Sequence, residues 1–347
     1  AMQAVKQLSQ QKMFNNKSIL ITGGTGSFGK NFIKMLLNKK YNFERIIIFS
    51  RDELKQHEMK QNEIFNENKF PQLRFFIGDI RDKDRLTHAL RDVHYIVHAA
   101  ALKQVPTGEY NPFEVINTNV IGTQNILDAA LNSHDVEKII SLSTDKAVSP
   151  LNLYGASKLC SDKLILSANN IKGKKNISFS VVRYGNVMGS RGSVLPVFLE
   201  QMKKNILKIT DKKMTRFNII MSEAVDLVDW AMHNSIGGEI IVPKIPSIKV
   251  VDLANAISPN SKKEIIGIRQ GEKIHEELIS TSESEVSYDI KKYYVILNHN
   301  KELINYYIKN YNAKKVSKNF YYNSENNNDY LTVKEIKNII ETKDLGL

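Results

Sequence analysis

The chain has 347 residues, of which 42% are apolar and 25% charged, a balance that supplies a sizeable core and excludes wholesale disorder, peptide hormones and disulfide miniproteins. Its 49 lysines and arginines outnumber 37 acids for a net charge of +12. The lysines are scattered and form no basic stripe with interleaved aromatics, so the excess charge does not point to a nucleic-acid partner.

Residues 1–13 read as a disordered leader or cloning scar. They contain no hydrophobic h-region, and no apolar run in the chain reaches the ~18 to 20 residues of a membrane helix, so a cytoplasmic protein without a membrane partner is expected. A single cysteine, Cys160, leaves no intrachain bridge, and no His/Cys cluster has metal-ligand spacing. Lys17 to Thr22 is a short apolar strand, Gly23 to Gly29 is glycine-rich, and Lys30 to Asn38 has helical spacing. The alternation continues with strand Arg45 to Ser50, helix Lys55 to Asn66, strand Leu73 to Ile77, helix Lys83 to Leu90 and strand Tyr95 to His98. Helix Phe113 to Leu131, strand Lys138 to Ser143, helix Tyr154 to Ala168 and strand Ser178 to Tyr184 follow. Alternating strands and helices require crossovers, which predicts an α/β fold with a doubly wound parallel sheet. Thereafter Pro196, Pro243, Pro246 and Pro259 punctuate shorter elements, a pattern expected of a smaller capping domain. Val250 to Ile257 and Lys273 to Ile279 read as helices, and the segment from Lys301 is too apolar for a free tail.

Gly23, Gly26 and Gly29 in TGGTGSFG sit between a strand and a helix, the context in which backbone N–H groups and a helix N-terminus approach a pyrophosphate. Gly24 to Lys30 also fits a triphosphate loop, but Asn31 replaces the hydroxyl residue that would hold magnesium. The second strand ends at Ser50 where an NAD site usually has an acid; Ser50, Arg51 and Lys55 offer a hydroxyl and two cations that suit a 2′-phosphate, with Asp52 and Glu53 as the counterargument. Asp79 and Ala99, Ala100 and Ala101 follow strands at their carboxyl ends, where such sheets bind ligands. Tyr154 and Lys158 share a helix face, so an ammonium can help a phenol act as a base. The preceding Ser143 and Thr144 could hydrogen-bond a substrate alcohol, and Asp145 and Lys146 add a carboxyl and an amine that simple hydride transfer does not need. Burial and Lys158 would lower the pKa of Lys146, whereas Asp145 would oppose that.

TGGTGSFG, SRDELK, FIGDIRD, HAAALKQV, STDKAVSPLNLYGASK and VVRYGNVMGSRGS together resemble the extended short-chain dehydrogenase/reductase family. More narrowly, with MTRF, GIRQGEKIHE and YYNSENNN, they are similar to its inverting UDP-N-acetylglucosamine 4,6-dehydratases of the pseudaminic acid pathway type. The resemblance implies a hydro-lyase acting on UDP-N-acetylglucosamine, with a tightly bound NADP recycled within each turnover, and a homo-oligomer, a hexamer being one form. It assigns cofactor contacts to Gly23, Thr25, Gly26, Ser27, Phe28, Gly29, Ser50, Arg51, Lys55, Asp79, Ile80, Ala99, Ala100, Ala101, Tyr154 and Lys158. Tyr154, aided by Lys158 and Thr144, would take the C4 hydroxyl proton, Lys146 the C5 proton, and Asp145 would protonate the departing C6 hydroxyl. Retaining relatives have Asp-Glu where this chain has Asp145-Lys146. Substrate contacts would be Lys103, Asn186, Val187, Arg216, Arg269 and Glu272, with arginines suited to the pyrophosphate. The implied division is a cofactor domain over 14–187 plus 219–243, a substrate domain over 188–218 plus 244–300, and a C-terminal segment 301–347 packing on the enzyme. A UDP-sugar 4-epimerase and a non-catalytic NADP-binding sensor are the alternatives; Asp145-Lys146 argues against the first and the Tyr154/Lys158 pair against the second.

Overall fold

Strands covered on both faces need unbroken apolar runs, and the first half of the chain supplies them. In the computed structural model, which describes residues 12–190, 192–343 and 345, β1 (Ser18–Thr22), β2 (Arg45–Ser50), β3 (Leu73–Ile77), β4 (Tyr95–His98), β5 (Lys138–Thr144) and β6 (Ser178–Tyr184) are parallel in the order 3-2-1-4-5-6. All five residues of β1 are buried. Helices Ser27–Asn38, Glu53–Gln61, Lys83–Ala89, Gly122–Asn132 and Leu153–Ile171 make the crossovers. The order reverses between β1 and β4, which opens a crevice at their carboxyl ends.

The second half adds β7 (Asn186–Val187), β8 (Ile206–Ile209), β9 (Thr215–Ile219), β10 (Ile240–Pro243), β11 (Ser247–Lys249), β12 (Lys262–Ile265), β13 (Glu277–Ile279), β14 (Ser287–Asp289), β15 (Tyr293–Ile296), β16 (Lys314–Lys315) and β17 (Tyr322–Asn323). β10 extends the main sheet in parallel beside β6, and β15, β14 and β16 continue it antiparallel to ten strands. Residues 287–296 and 314–315 therefore build the main sheet, whereas the sequence-based division placed them in the substrate domain and the terminal segment. Sheet β11-β9-β7 and the pairs β12-β8 and β13-β17 form the rest. A second core gathers Leu195, Phe198, Leu207, Leu253 and Ile336. Helix Val333–Thr342 closes it through Ile336, so the chain end packs on this smaller unit.

Three expectations change. Lys273 to Ile279 is not helical: Ile274, Leu278 and Ile279 have helical spacing, but β13 is recruited into antiparallel pairing by β17 from far along the chain. Phe113 to Leu131 is divided into Pro112–Ile116, a π-helical turn Asn117–Ile121 and Gly122–Asn132. The expected leader over 1–13 lies outside the described residues for 1–11, whereas Lys12 and Met13 form a helical turn and Met13 packs against the core. Among the described residues no helix is long and apolar enough to cross a membrane.

Candidate active site

The turn after β1 is shaped by missing side chains. Gly23 has φ +66°, and a Cβ there would lie 3.0 Å from the Ala100 backbone; one at Gly29 would lie 2.6 Å from the Gly23 carbonyl. The first turn of helix Ser27–Asn38 thus packs directly on the loop, with its free N–H groups at the crevice. Thr22 Oγ1 accepts from the Ala99 and Ala100 N–H groups, at 3.1 and 3.2 Å, and holds the loop after β4 against this turn. At the end of β2, Ser50 Oγ and Thr25 Oγ1 share a hydrogen bond of 2.7 Å. Asp52 caps helix Glu53–Gln61 and pairs with Lys55 Nζ at 2.9 Å. Arg51 lies 3.5 Å from Asp79. Burial opposes ionisation of Asp79, but hydrogen bonds from Arg81 and the Arg81 and Arg51 charges hold its carboxyl below the usual range.

β5 delivers Ser143 and Thr144 to its carboxyl end, and a tight turn over Asp145–Ala147 follows. Asn152 caps helix Leu153–Ile171 by accepting from the Gly155 N–H at 2.8 Å. A Cβ at Gly155 would sit 2.1 Å from the Lys146 carbonyl oxygen, so only glycine lets this helix rest on that turn. That contact brings Tyr154 and Lys146 into one site. Burial raises the Tyr154 phenol to about 12; the Lys146 charge and a Thr144 hydrogen bond pull it down, and Asp145 and Asp162 push it up. Lys146 thus adds a second cation to the site that Lys158 also lines. Lys158 is 4% exposed, and burial depresses its pKa against the attraction of Asp162. Ser143, expected to meet a substrate alcohol, instead donates to Asp162 at 2.6 Å.

Lys146 Nζ donates to Asp145 Oδ1 at 3.1 Å and Asn186 Oδ1 at 3.0 Å, and lies 3.4 Å from Glu276 Oε1. Burial works against its charge, but Asp145 and Glu276 outweigh burial and the repulsion of Arg216, so its pKa is raised. The balance that the sequence left open between burial and Asp145 thus falls to the carboxylates, Asp145 first and then Glu276, which is absent from the local sequence. Burial raises the pKa of Asp145, with Glu276 adding to the rise and Lys146 opposing it.

One cavity of about 1370 Å³ is lined by all the sequence-derived candidates from Gly23 to Ala101 for the cofactor, by Thr144, Lys146, Tyr154 and Lys158, and by Lys103, Asn186, Val187, Arg216, Arg269 and Glu272. Asp145 is the exception, fully buried beside Lys146. Two residues escaped sequence reasoning. Asn119, in the π-helical turn, bonds both the N–H and the carbonyl of Leu102 at 2.8 Å and Ser157 Oγ at 3.0 Å, tying the loop after β4 to the Tyr154 helix. A π-turn is a common mark of function but has no pattern of its own in the sequence. Glu276 sat inside the segment read as a helix, which hid its place beside Lys146.

The family model for "Polysaccharide biosynthesis protein" matches residues 19–298. The chain is 51% identical over 94% of its length to "UDP-N-acetylglucosamine 4,6-dehydratase (inverting)" of Campylobacter jejuni subsp. jejuni serotype O:23/36 (strain 81-176), covering 98% of that protein. It is 42% identical over 96% of its length to "UDP-glucose 4-epimerase" of Rickettsia rickettsii (strain Sheila Smith), covering 97% of that protein. Among solved structures, Pen from Bacillus thuringiensis superposes with a TM-score of 0.86 at 36% identity, with 96% of this chain and 99% of that one covered.

Proposed function

The chain belongs to the polysaccharide biosynthesis protein family of extended short-chain dehydrogenases/reductases, and from that premise we propose that it is an inverting UDP-N-acetylglucosamine 4,6-dehydratase, with the product UDP-2-acetamido-2,6-dideoxy-β-L-arabino-hex-4-ulose. The observation that carries this reading is Lys146, an amine facing the same cavity as Tyr154 and flanked by a carboxyl on each side. A 4-epimerase has no use for these groups, because it neither breaks the C5–H bond nor expels the C6 hydroxyl.

The residues fit a nicotinamide dinucleotide: the glycine turn leaves a cradle that a Cβ at Gly23 or Gly29 would fill, and the helix N-terminus faces it. When bound, the oxidised nicotinamide supplies the acceptor for the C4 hydrogen, the donor that later reduces C6, and a positive charge in the cavity. Tyr154 takes the C4 hydroxyl proton, with Thr144 holding the phenol oxygen. The C4 ketone acidifies C5, Lys146 as free amine removes that proton, and the C5–H electron pair forms the C5–C6 double bond as the C6–O bond breaks. Asp145, buried outside the cavity lining with its Oδ1 3.1 Å from Lys146 Nζ, would protonate the leaving oxygen by way of that nitrogen: the ammonium formed by taking the C5 proton gives a proton to the oxygen, and Asp145 replaces it. A proton returned to C5 on the opposite face gives the inverted centre.

We infer further that the dinucleotide is NADP. No carboxylate ends β2, Asp52 is turned into a helix cap, and Arg51 and Lys55 face the ribose end of the cavity with side chains 53% and 44% exposed. Arg51→Ala weakens NADP binding by about 1.5 kcal/mol, the lower range for a charge-assisted bond because the guanidinium is half exposed, and leaves NAD nearly unchanged. Calorimetry on cofactor-stripped protein checks this; equal losses for both dinucleotides reject it.

The purified protein, given UDP-N-acetylglucosamine in deuterated water without added cofactor, is expected to release one water and place deuterium at an inverted C5. Mass and proton NMR read both. Unchanged mass with inversion at C4 establishes the epimerase instead, and tightly bound cofactor without turnover leaves a different sugar nucleotide or the sensor.

A further inference from the structure

Glu276 is 3% exposed, its Oε1 lies 3.4 Å from Lys146 Nζ, and its Oε2 is buried without a hydrogen-bond partner. An ionised carboxylate in such a place is costly unless paired. The fold nevertheless holds it there. The Glu276 N–H donates to Ser324 Oγ at 2.9 Å, the Ser324 N–H donates to the Glu276 carbonyl at 2.8 Å, and Ser324 Oγ is tied to Thr215 Oγ1 at 2.7 Å. Ser324 comes from the YYNSENNN segment, which no other part of the site explains. β17 in that segment pairs with β13 directly after Glu276. The end of the chain thus sets one carboxylate against one amine.

The ammonium of Lys146 has three protons, and three acceptors surround it: Asp145 Oδ1, Asn186 Oδ1 and Glu276 Oε1. Two of them accept hydrogen bonds and Glu276 pairs with its charge, and as long as Lys146 is an ammonium it has no lone pair for a C5 proton. We propose that Glu276 is the positioning residue that sets the location and charge of Lys146 and, with the sugar bound, takes its proton: one Nζ–H bond breaks, the pair stays on nitrogen, and an Oε1–H bond forms. The inference rests on the reading of Lys146 as the C5 base. Asn186 is an amide and cannot serve. Asp145 is committed in the proposed reaction to the proton of the leaving oxygen, which reaches the sugar through Lys146 Nζ. Glu276 is the ionised member: burial pushes its pKa up, but the charges of Lys146, Arg216 and Lys273 hold it below the usual range. The groups facing the pair are therefore Asp145 from the turn, Arg216 from β9, Lys273 from the loop before β13 and Tyr154 from its helix.

The test is Glu276→Gln, which keeps the shape and removes the proton acceptor, with Glu276→Asp as the conservative variant. Glu276→Gln is expected to lower kcat for water loss by about 10²-fold with KM little changed, while C4 oxidation persists, so reduced nicotinamide accumulates in a single turnover; Glu276→Asp restores part of the rate. In cofactor-free protein, the Cε resonance of isotope-labelled Lys146 is expected to titrate at lower pH in Glu276→Gln, because a neighbouring anion is gone. Water loss at the wild-type rate, or an unmoved Lys146 titration, overturns the proposal. If the wild-type protein releases no water, the dehydratase reading fails, and the titration still decides whether Glu276 sets the charge of Lys146.

Discussion

Tyr154→Phe is expected to lower turnover of UDP-N-acetylglucosamine by about 10²–10⁴-fold, the contribution of a positioned general base, and to stop the reaction before any oxidation. The phenylalanine keeps the ring and its packing, so folding and sugar-nucleotide binding persist. Only the oxygen that meets Thr144 and feels the Lys146 charge is lost. Single-turnover absorbance therefore shows no reduced nicotinamide, in contrast to Glu276→Gln. The sign of the pH dependence follows from the phenol. Its pKa stands at about 12 in the free protein, so at neutral pH it is protonated, and the phenolate fraction grows as pH rises toward that value. C4 oxidation in the wild-type protein should accelerate with pH across the neutral range, less steeply as the bound cofactor's positive charge lowers the pKa. In Tyr154→Phe the dependence is flat. A variant that still oxidises C4 at the wild-type rate removes Tyr154 from this role.

Lys146→Met separates the later steps from the first. It retains much of the aliphatic stem and discards the amine, so C4 oxidation proceeds while water loss and C5 deuteration fall by about 10²–10⁴-fold. The variant also has a structural consequence. Asp145 and Glu276, 0% and 3% exposed, lose the ammonium between them, and breaking a buried pair on one side costs about 3–5 kcal/mol. Both carboxyls then shift toward their neutral forms, which recovers part of that loss as pH falls. Thermal unfolding at two pH values should show Lys146→Met closer to wild type in acid, and adding Asp145→Asn should restore stability without restoring dehydration. Undiminished C5 exchange in Lys146→Met would exclude the lysine as the base.

The elements that sequence reading placed well are those that neighbouring residues determine. A buried parallel strand needs an apolar run, and β1, β2 and β5 have one. A turn that must pass close to another backbone needs glycine, and Gly23 and Gly29 report that need wherever the rest of the chain lies. The i, i+4 spacing of Tyr154 and Lys158 likewise guarantees a shared helix face. Segment Lys273 to Ile279 failed because its apolar spacing fits a helix locally, while the pairing that makes it a strand comes from β17.

Read alone, the sequence determined the doubly wound sheet, the glycine turn after β1 and the shared helix face of Tyr154 and Lys158, because short-range sterics and periodicity encode all three. Only the tertiary structure decided which charges face one another. It added Lys146 to the cations near Tyr154, placed Asp145 out of the cavity, and brought Glu276 to the amine through Ser324. The physical reason is that a proton's affinity for a side chain depends on burial and on charges within a few ångströms, and in this fold those come from segments far apart in the chain.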